Sequence, residues 1–115
     1  MNLEEKLKKI SELFLPTHDV MEFLREKPNI TEALLSGYEE AKKQFGEKVS
    51  SFSLELGYFR GDKPIPHLYM TLGMSGNYED TKKIRDEFDK WWLDKSTAEI
   101  RVGMTPCYGS ADMSK

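Results

Sequence analysis

Cysteine is almost absent from this chain of 115 residues, with Cys107 as its single example. One thiol cannot close an internal disulfide, so the disulfide-stapled scaffold of a small secreted protein is excluded. The first residues also lack a signal pattern in which basic residues precede an apolar run, and together these features predict a cytoplasmic protein. Long hydrophobic runs are missing as well, so we expect no membrane-spanning helix and no membrane partner.

An excess of basic residues is missing too. Lysine and arginine number 17 against 20 aspartate and glutamate residues, which gives a net charge of −3. A protein that holds nucleic acid normally concentrates positive charge on one face, so we expect no nucleic-acid partner. The hydrophobic fraction of 38% and the charged fraction of 32% suit a thin core under a well-solvated surface. The length suits a single domain over residues 1–115.

The first part of the chain repeats its apolar residues at helical spacing. The first helix is predicted over residues 2–15, where the apolar stripe consists of Leu3, Leu7, Ile10 and Phe14. A second, shorter helix is predicted from Thr17 to about Lys27. A third is predicted to follow the capping residue Asn29 and to end at Phe45, before Gly46.

The period then changes to two, which is typical of strands. Two alternating runs, residues 52–59 and 67–74, flank the turn-like segment Arg60–Pro66 and predict a β-hairpin. A helix with Asn77 as its cap follows, to about Lys95. Residues 98–104 alternate again as a last strand, and residues 105–115 are small and polar, so we expect a flexible tail there.

This order of elements, α-α-α-β-β-α-β, predicts an α+β fold with a three-stranded mixed sheet. The last helix carries the chain back along the sheet, so strand three should run parallel to strand two. The least obstructed place for it is beside strand one and antiparallel to it, which gives the sheet order 2-1-3. All helices would then cover one face of the sheet and leave the other face open.

That open face is the leading candidate for function. If the even-numbered strand residues are buried, the odd-numbered ones point outward, and these are Ser53, Glu55, Phe59, His67, Tyr69, Thr71, Glu99 and Arg101. Aromatic side chains are enriched where proteins bind each other. The predicted binding surface therefore consists of Phe59, His67, Tyr69, Glu55 and Arg101. The alternative is a solvated face that carries scattered aromatic residues.

Metal ligands are few, and their spacing requires no site. His18 and Glu22 stand four residues apart on the second predicted helix, with Asp19 between them. A zinc site needs three or four ligands, and only His67 and Cys107 could add to this pair. Acidic residues in a first helical turn are explained equally well by the helix dipole, so we expect no metal and no cofactor.

Other catalytic patterns are equally weak. The segment Gly73–Asn77 joins a strand to a helix, as phosphate-binding loops do, but Glu79 and Asp80 follow it and would repel a phosphate. A capping turn is therefore predicted. Cys107 with His67 is the one conceivable thiol–imidazole pair, and no spacing demands it.

The fourth predicted helix closes on the run Trp91-Trp92-Leu93-Asp94. Taken with the hairpin before it and the strand after it, over about residues 49–104, this run resembles a loose group of small uncharacterised bacterial and archaeal proteins. The resemblance covers about half of the chain and implies no activity and no site residue. The tail departs from the group, whose members usually end in the strand.

Two functions of different classes remain. The first is a small interaction or regulatory protein, such as an antitoxin-like partner or a homodimer, that uses the open sheet face. The second is a small-molecule binder or enzyme with a site around His67, Tyr69 and Glu55. The second needs a concave pocket, so the N-terminal helices or the tail would have to fold over the open face. Because no catalytic pattern is present, the interaction protein is the first hypothesis.

Overall fold

The computed structural model of the protein describes residues 2–59, 65–75 and 78–110, without the side chains of Phe59 and Ser110. The elements are α1 (Leu3–Phe14), α2 (His18–Glu26), α3 (Pro28–Phe45), a 3-10 turn (Gly46–Lys48), β1 (Val49–Phe59), β2 (Ile65–Met74), α4 (Tyr78–Lys95), α5 (Ala98–Gly103) and β3 (Met104–Ser110). The predicted α+β class, with three helices ahead of a three-stranded mixed sheet, is confirmed. None of the helices in these ranges has the length and hydropathy needed to cross a bilayer.

Helix α1 begins and ends as its sequence predicts. The side chain of Asn2 accepts a hydrogen bond from the backbone N–H of Glu5 at 2.9 Å, which caps the first turn. The stripe of Leu7, Ile10 and Phe14 is buried. The helix stops at Leu15, which adopts the left-handed region with φ 49°. Pro16 follows directly, and a proline disfavours right-handed helical geometry in the residue before it.

Helix α3 starts two residues earlier than predicted, at Pro28 with Lys27 as its cap. Pro28 occupies its first turn, where a missing N–H costs nothing, and the side chain of Asn29 accepts from the N–H of Ile30 instead of capping the helix. The prediction of Asn29 as the cap is therefore wrong. The hydroxyl of Thr31 donates to the carbonyl oxygen of Leu24 at 2.7 Å and so joins α3 to α2.

The sheet has the order β1-β2-β3, so the predicted order 2-1-3 is wrong. Strand β1 pairs antiparallel with β2, and β3 pairs parallel with β2 from Leu68↔Met104 to Met74↔Ser110. The predicted direction of the last strand relative to β2 is confirmed. Its position differs because β2, α4, α5 and β3 form one crossover unit whose two parallel strands pair directly. Strand β2 is thereby paired along both edges.

The last strand begins six residues later than the sequence indicates. Residues 98–103 form α5, whose cap is Thr97, with its hydroxyl oxygen accepting from the N–H of Ile100 at 3.2 Å. A helix of six residues is too short to show a period of 3.6, and this is why its alternation resembled a strand. Residues 105–110, predicted as part of a tail, belong with Met104 to β3, and residues 111–115 lie outside the described ranges. Pro106 is tolerated because β3 is a strand at the edge of the sheet.

The core lies between the sheet and the helices. Four alternating residues of the central strand are fully or almost fully buried there: Leu68, Met70, Leu72 and Met74. Aromatic rings from α3 meet the outer strands and α4, for example Tyr38 with Phe52 at 4.7 Å between ring centroids. The even-numbered strand residues therefore face the helices along most of the sheet, as predicted, and the odd-numbered ones point to the opposite face.

Candidate functional site

His67 points to the side of the sheet opposite the core, but it is only 2% exposed. Its Nδ1 atom lies 2.7 Å from the carbonyl oxygen of Val102, and its Nε2 atom lies 2.7 Å from Oγ1 of Thr105. A carbonyl oxygen only accepts, so Nδ1 carries a proton. The predicted outward direction of His67 agrees with its place on this side of the sheet, but the side chain is buried and cannot form part of an accessible binding surface. The reason is that α5 and β3 lie at this edge, where the sequence had placed neither.

Tyr69 is half-buried and packs within the chain. Its ring centroid is 4.9 Å from that of His67, and a Cβ atom on Gly57 would lie 2.9 Å from its Cε2 atom. The ring therefore covers the backbone of Gly57, where a larger residue would displace it. Glu55 is exposed and stands opposite Tyr69 in the strand register, with Thr105 on the other side of Tyr69. The sheet does bring His67, Tyr69 and Glu55 together, although the rings of His67 and Tyr69 pack against each other.

Arg101 does not lie on the sheet, and its predicted place on the open face is wrong. It belongs to α5, and its guanidinium donates to the carbonyl oxygens of Ser96 at 2.7 Å and Leu93 at 3.2 Å. These carbonyls end α4, so Arg101 caps that helix. Glu99 is likewise on α5. The side chain of Phe59 lies outside the described residues, although its backbone pairs with Ile65.

Cys107 and Thr105 reach the open face because β3 starts late. Cys107 pairs in register with Thr71, and burial raises the pKa of its thiol above the ordinary value of 9.0. The thiol–imidazole pair with His67 is not formed, because the two ring nitrogens of His67 bond to Val102 and Thr105. Thr105 was not identified from the sequence. The small residues and the proline around it show little of the apolar alternation that indicates a strand.

The remaining candidates from the sequence have ordinary structural surroundings. His18 and Glu22 form an exposed pair 3.6 Å apart, and no group of three or more metal-ligating side chains occurs in the residues that the structure describes. In the segment Gly73–Asn77, the N–H of Ser75 donates to the carbonyl oxygen of Lys48 at 2.7 Å. Gly76 and the predicted cap Asn77 lie outside the described ranges, as do residues 60–64 of the hairpin turn.

A concave surface occurs elsewhere, where the turn end of the hairpin meets α2 and α5. One cleft of about 280 Å³ and another of about 330 Å³ share Phe23 and Pro66 in their linings. We call this continuous surface the hairpin-end groove. Its main apolar residues are Phe23, Leu56, Tyr58, Ile65, Pro66 and Val102.

Three of the seven exposed large apolar side chains in the described residues line this groove. Tyr58 is 59% exposed, Ile65 51% and Val102 60%. Tyr58 has an even number and was therefore expected in the core. That expectation is wrong for this residue, which lies beside the hairpin turn. Beneath these side chains, α5 approaches α3 closely, since a Cβ atom on Gly103 would lie 2.3 Å from Cδ1 of Ile30.

Carboxylates form the rim of the hairpin-end groove. Helix α2 contributes Asp19, Glu22 and Glu26, and α5 contributes Glu99. A hydrogen bond from the hydroxyl of Thr17, together with one from the N–H of Val20, lowers the pKa of Asp19 below its ordinary value of 3.8. Asp19 is therefore charged at neutral pH. Lys27 is the lysine that lines the same surface, so acidic groups predominate there.

The sequence contained a partial signal for this surface, because His18, Asp19 and Glu22 were noted as a group. It gave no sign that the hairpin would meet them. Comparison with protein-family models, with curated proteins and with solved structures finds no match to this chain. The resemblance based on the run from Trp91 to Asp94 therefore remains a prediction, and the function has to be argued from the geometry.

Proposed function

We propose that this chain is a protein-interaction domain that binds a basic, partly apolar segment of a partner protein in the hairpin-end groove. The observation that carries the proposal is that exposed Ile65 and Val102 line one cleft and exposed Tyr58 lines the adjoining one, with carboxylates in both linings. Apolar side chains gathered in this way are typical of binding surfaces. The acidic rim favours lysine or arginine on the partner, because complementary charge steers association and selects among partners.

The energies point to a weak complex. Each of the three apolar side chains is about half exposed, so covering it contributes about 1 kcal/mol. Association costs at least about 4 kcal/mol in lost freedom of motion. The apolar contacts alone therefore do not hold a partner, and the charge pairs at the rim supply the remainder. Exposed charge pairs are screened by salt, so the affinity should fall as the ionic strength rises.

The other functional hypotheses have less support. A catalytic or small-molecule site around His67, Tyr69 and Glu55 is disfavoured because both ring nitrogens of His67 are bonded within the chain. An interface on the open sheet face is also disfavoured, because Tyr69 packs on His67 and over Gly57 instead of presenting a free ring. An antitoxin-like role belongs to the same class as the proposal, and it would place the toxin in the groove.

A selection from a random peptide library displayed on phage tests the proposal directly. The immobilised wild-type chain should enrich peptides in which one or two large apolar residues are flanked by lysine or arginine. Binding of those peptides should weaken in the variant Glu26→Gln, which removes a charge from the rim. The matched control is Glu12→Gln, an exposed glutamate of α1 that does not line the groove.

Three results would overturn the proposal. The first is enrichment of acidic peptides, and the second is a selection that enriches no pattern. The third concerns a second copy of the chain as the occupant. If sedimentation equilibrium shows a dimer that Val102→Ser converts to a monomer, the groove is a self-association surface and not a site for a basic partner.

A further inference from the structure

Arg85 lies between two tyrosine rings at the other end of the sheet. Its guanidinium carbon is 5.1 Å from the ring centroid of Tyr78 and 5.0 Å from that of Tyr108. Tyr78 opens α4 and Arg85 follows seven residues later, two helical turns along the same face. Tyr108 comes from β3. The two rings cover the guanidinium, which is the arrangement that favours an arginine cation over an aromatic face.

The polar edge of this guanidinium has no partner in the described part of the chain. The Nε atom of Arg85 is buried without a hydrogen bond, and Arg85 forms no ion pair among the described residues. The other two described arginines are both engaged: Arg25 pairs with Glu4 at 2.5 Å, and Arg101 donates to the carbonyl oxygens that end α4. Arg85 thus differs from them in lacking an acceptor.

The surroundings hold Arg85 in place without forming an ion pair with it among the described residues. The hydroxyl of Tyr108 donates to Oδ1 of Asp89 at 2.8 Å, which fixes the ring against α4. Asp89, one turn after Arg85, accepts this hydrogen bond at one of its two oxygens, and both Asp86 and Asp89 act electrostatically on the same tyrosine as Arg85. A buried donor without an acceptor is unfavourable, and a guanidinium satisfies its donors best with two oxygens of one anion.

We propose that Arg85 is an oxyanion-binding group that takes a carboxylate or a phosphate in the plane of its guanidinium. The tyrosine rings restrain the side chain, so little conformational entropy is lost when an anion binds to the planar fork. Binding supplies an acceptor that the described residues do not. The site uses α4 and β3, and it is independent of the hairpin-end groove.

Nuclear magnetic resonance of the arginine Nε–H groups tests this proposal. Inorganic phosphate and acetate are titrated separately at neutral pH into the full chain, labelled with ¹⁵N. The Arg85 signal, assigned by its loss in Arg85→Lys, should shift and saturate with a dissociation constant on the order of 10 mM for at least one anion. The Nε–H signals of Arg25 and Arg101 serve as internal controls and should stay unchanged. The anion with the lower dissociation constant shows whether the ligand group is a carboxylate or a phosphate.

Two variants test whether the anion requires the restrained planar guanidinium or only a positive charge. Arg85→Lys keeps the charge but loses the fork, and it should weaken anion binding, followed by backbone amide shifts, about tenfold. Tyr78→Ser frees the guanidinium and should also weaken binding, while Arg25→Lys should not. Circular dichroism checks that each variant is folded. An Arg85 signal that does not respond to either anion, or equal binding by Arg85→Lys, would overturn the proposal.

Discussion

The hydroxyl of Thr105 lies 2.7 Å from Nε2 of His67, at the point where β3 joins β2. The contact with the carbonyl of Val102 places a proton on Nδ1, and Nε2 forms a second hydrogen bond, with the hydroxyl of Thr105. Thr105→Val removes this hydrogen bond to a buried ring, and it should lower the free energy of unfolding by about 1 kcal/mol. Urea denaturation measures the change. The control Thr71→Val, in the adjoining strand, should stay within about 0.5 kcal/mol of wild type, and equal effects of the two substitutions would contradict the account.

Gly103 allows α5 to approach α3. A methyl group there would lie 2.3 Å from Cδ1 of Ile30, so Gly103→Ala should destabilise the chain by about 1–3 kcal/mol through overpacking. Ile30→Val removes the atom concerned. The double variant should therefore be more stable than the sum of the two single changes predicts, as measured by a thermal or urea double-mutant cycle. Additive effects would show that the two residues do not meet.

Tyr108 should make the chain sensitive to alkaline pH. Its burial, and then its hydrogen bond to Asp89, raise the pKa of the phenol well above the ordinary value of 10.0. The fold therefore favours the neutral phenol, and this stabilisation is complete below the unfolded pKa and is lost as the pH rises above about 10. The free energy of unfolding of wild type should fall more between about pH 9 and pH 11 than that of Tyr108→Phe. Parallel curves for the two proteins would refute the assignment.

Cys107 should react slowly for a surface thiol. Burial raises its pKa, so the reactive thiolate is scarcer than in an exposed cysteine at the same pH. Alkylation by iodoacetamide near pH 8, followed by mass spectrometry, should be slower in the folded chain than in the same chain in urea. The protein contains no other cysteine, so the modification is unambiguous. Equal rates would mean that β3 does not shield this side chain.

The fold class was predictable because long helices and alternating strands carry strong periodic signals. Leu7, Ile10 and Phe14 in α1, and Leu68, Met70 and Leu72 in β2, are buried as their spacing indicates. The boundary between α5 and β3 was not predictable. Six residues cannot show a helical period, and Pro106 and Gly109 disguise the strand that follows.

The candidate site was less predictable than the fold, because it depends on where the end of β2 meets α2 and α5. Once the last strand is placed beside β2, α5 reaches the turn end of the hairpin. Val102 then joins Ile65 in one cleft, and Arg101 leaves the sheet to cap α4. No local pattern in the sequence fixes those distances between elements. The predicted surface around His67 and Tyr69 was misjudged for the same reason.

The most direct test of the hairpin-end groove is the affinity of a fluorescently labelled basic peptide from the phage selection, measured by anisotropy. In the double variant Ile65→Ser and Val102→Ser, the apolar part of the groove is lost without a change of charge. The affinity should fall about tenfold. Leu93→Ser removes a similarly exposed apolar side chain, 61% exposed on α4, and should change the affinity less than twofold. Unchanged affinity in the double variant, or an equal loss in Leu93→Ser, would contradict the proposed function.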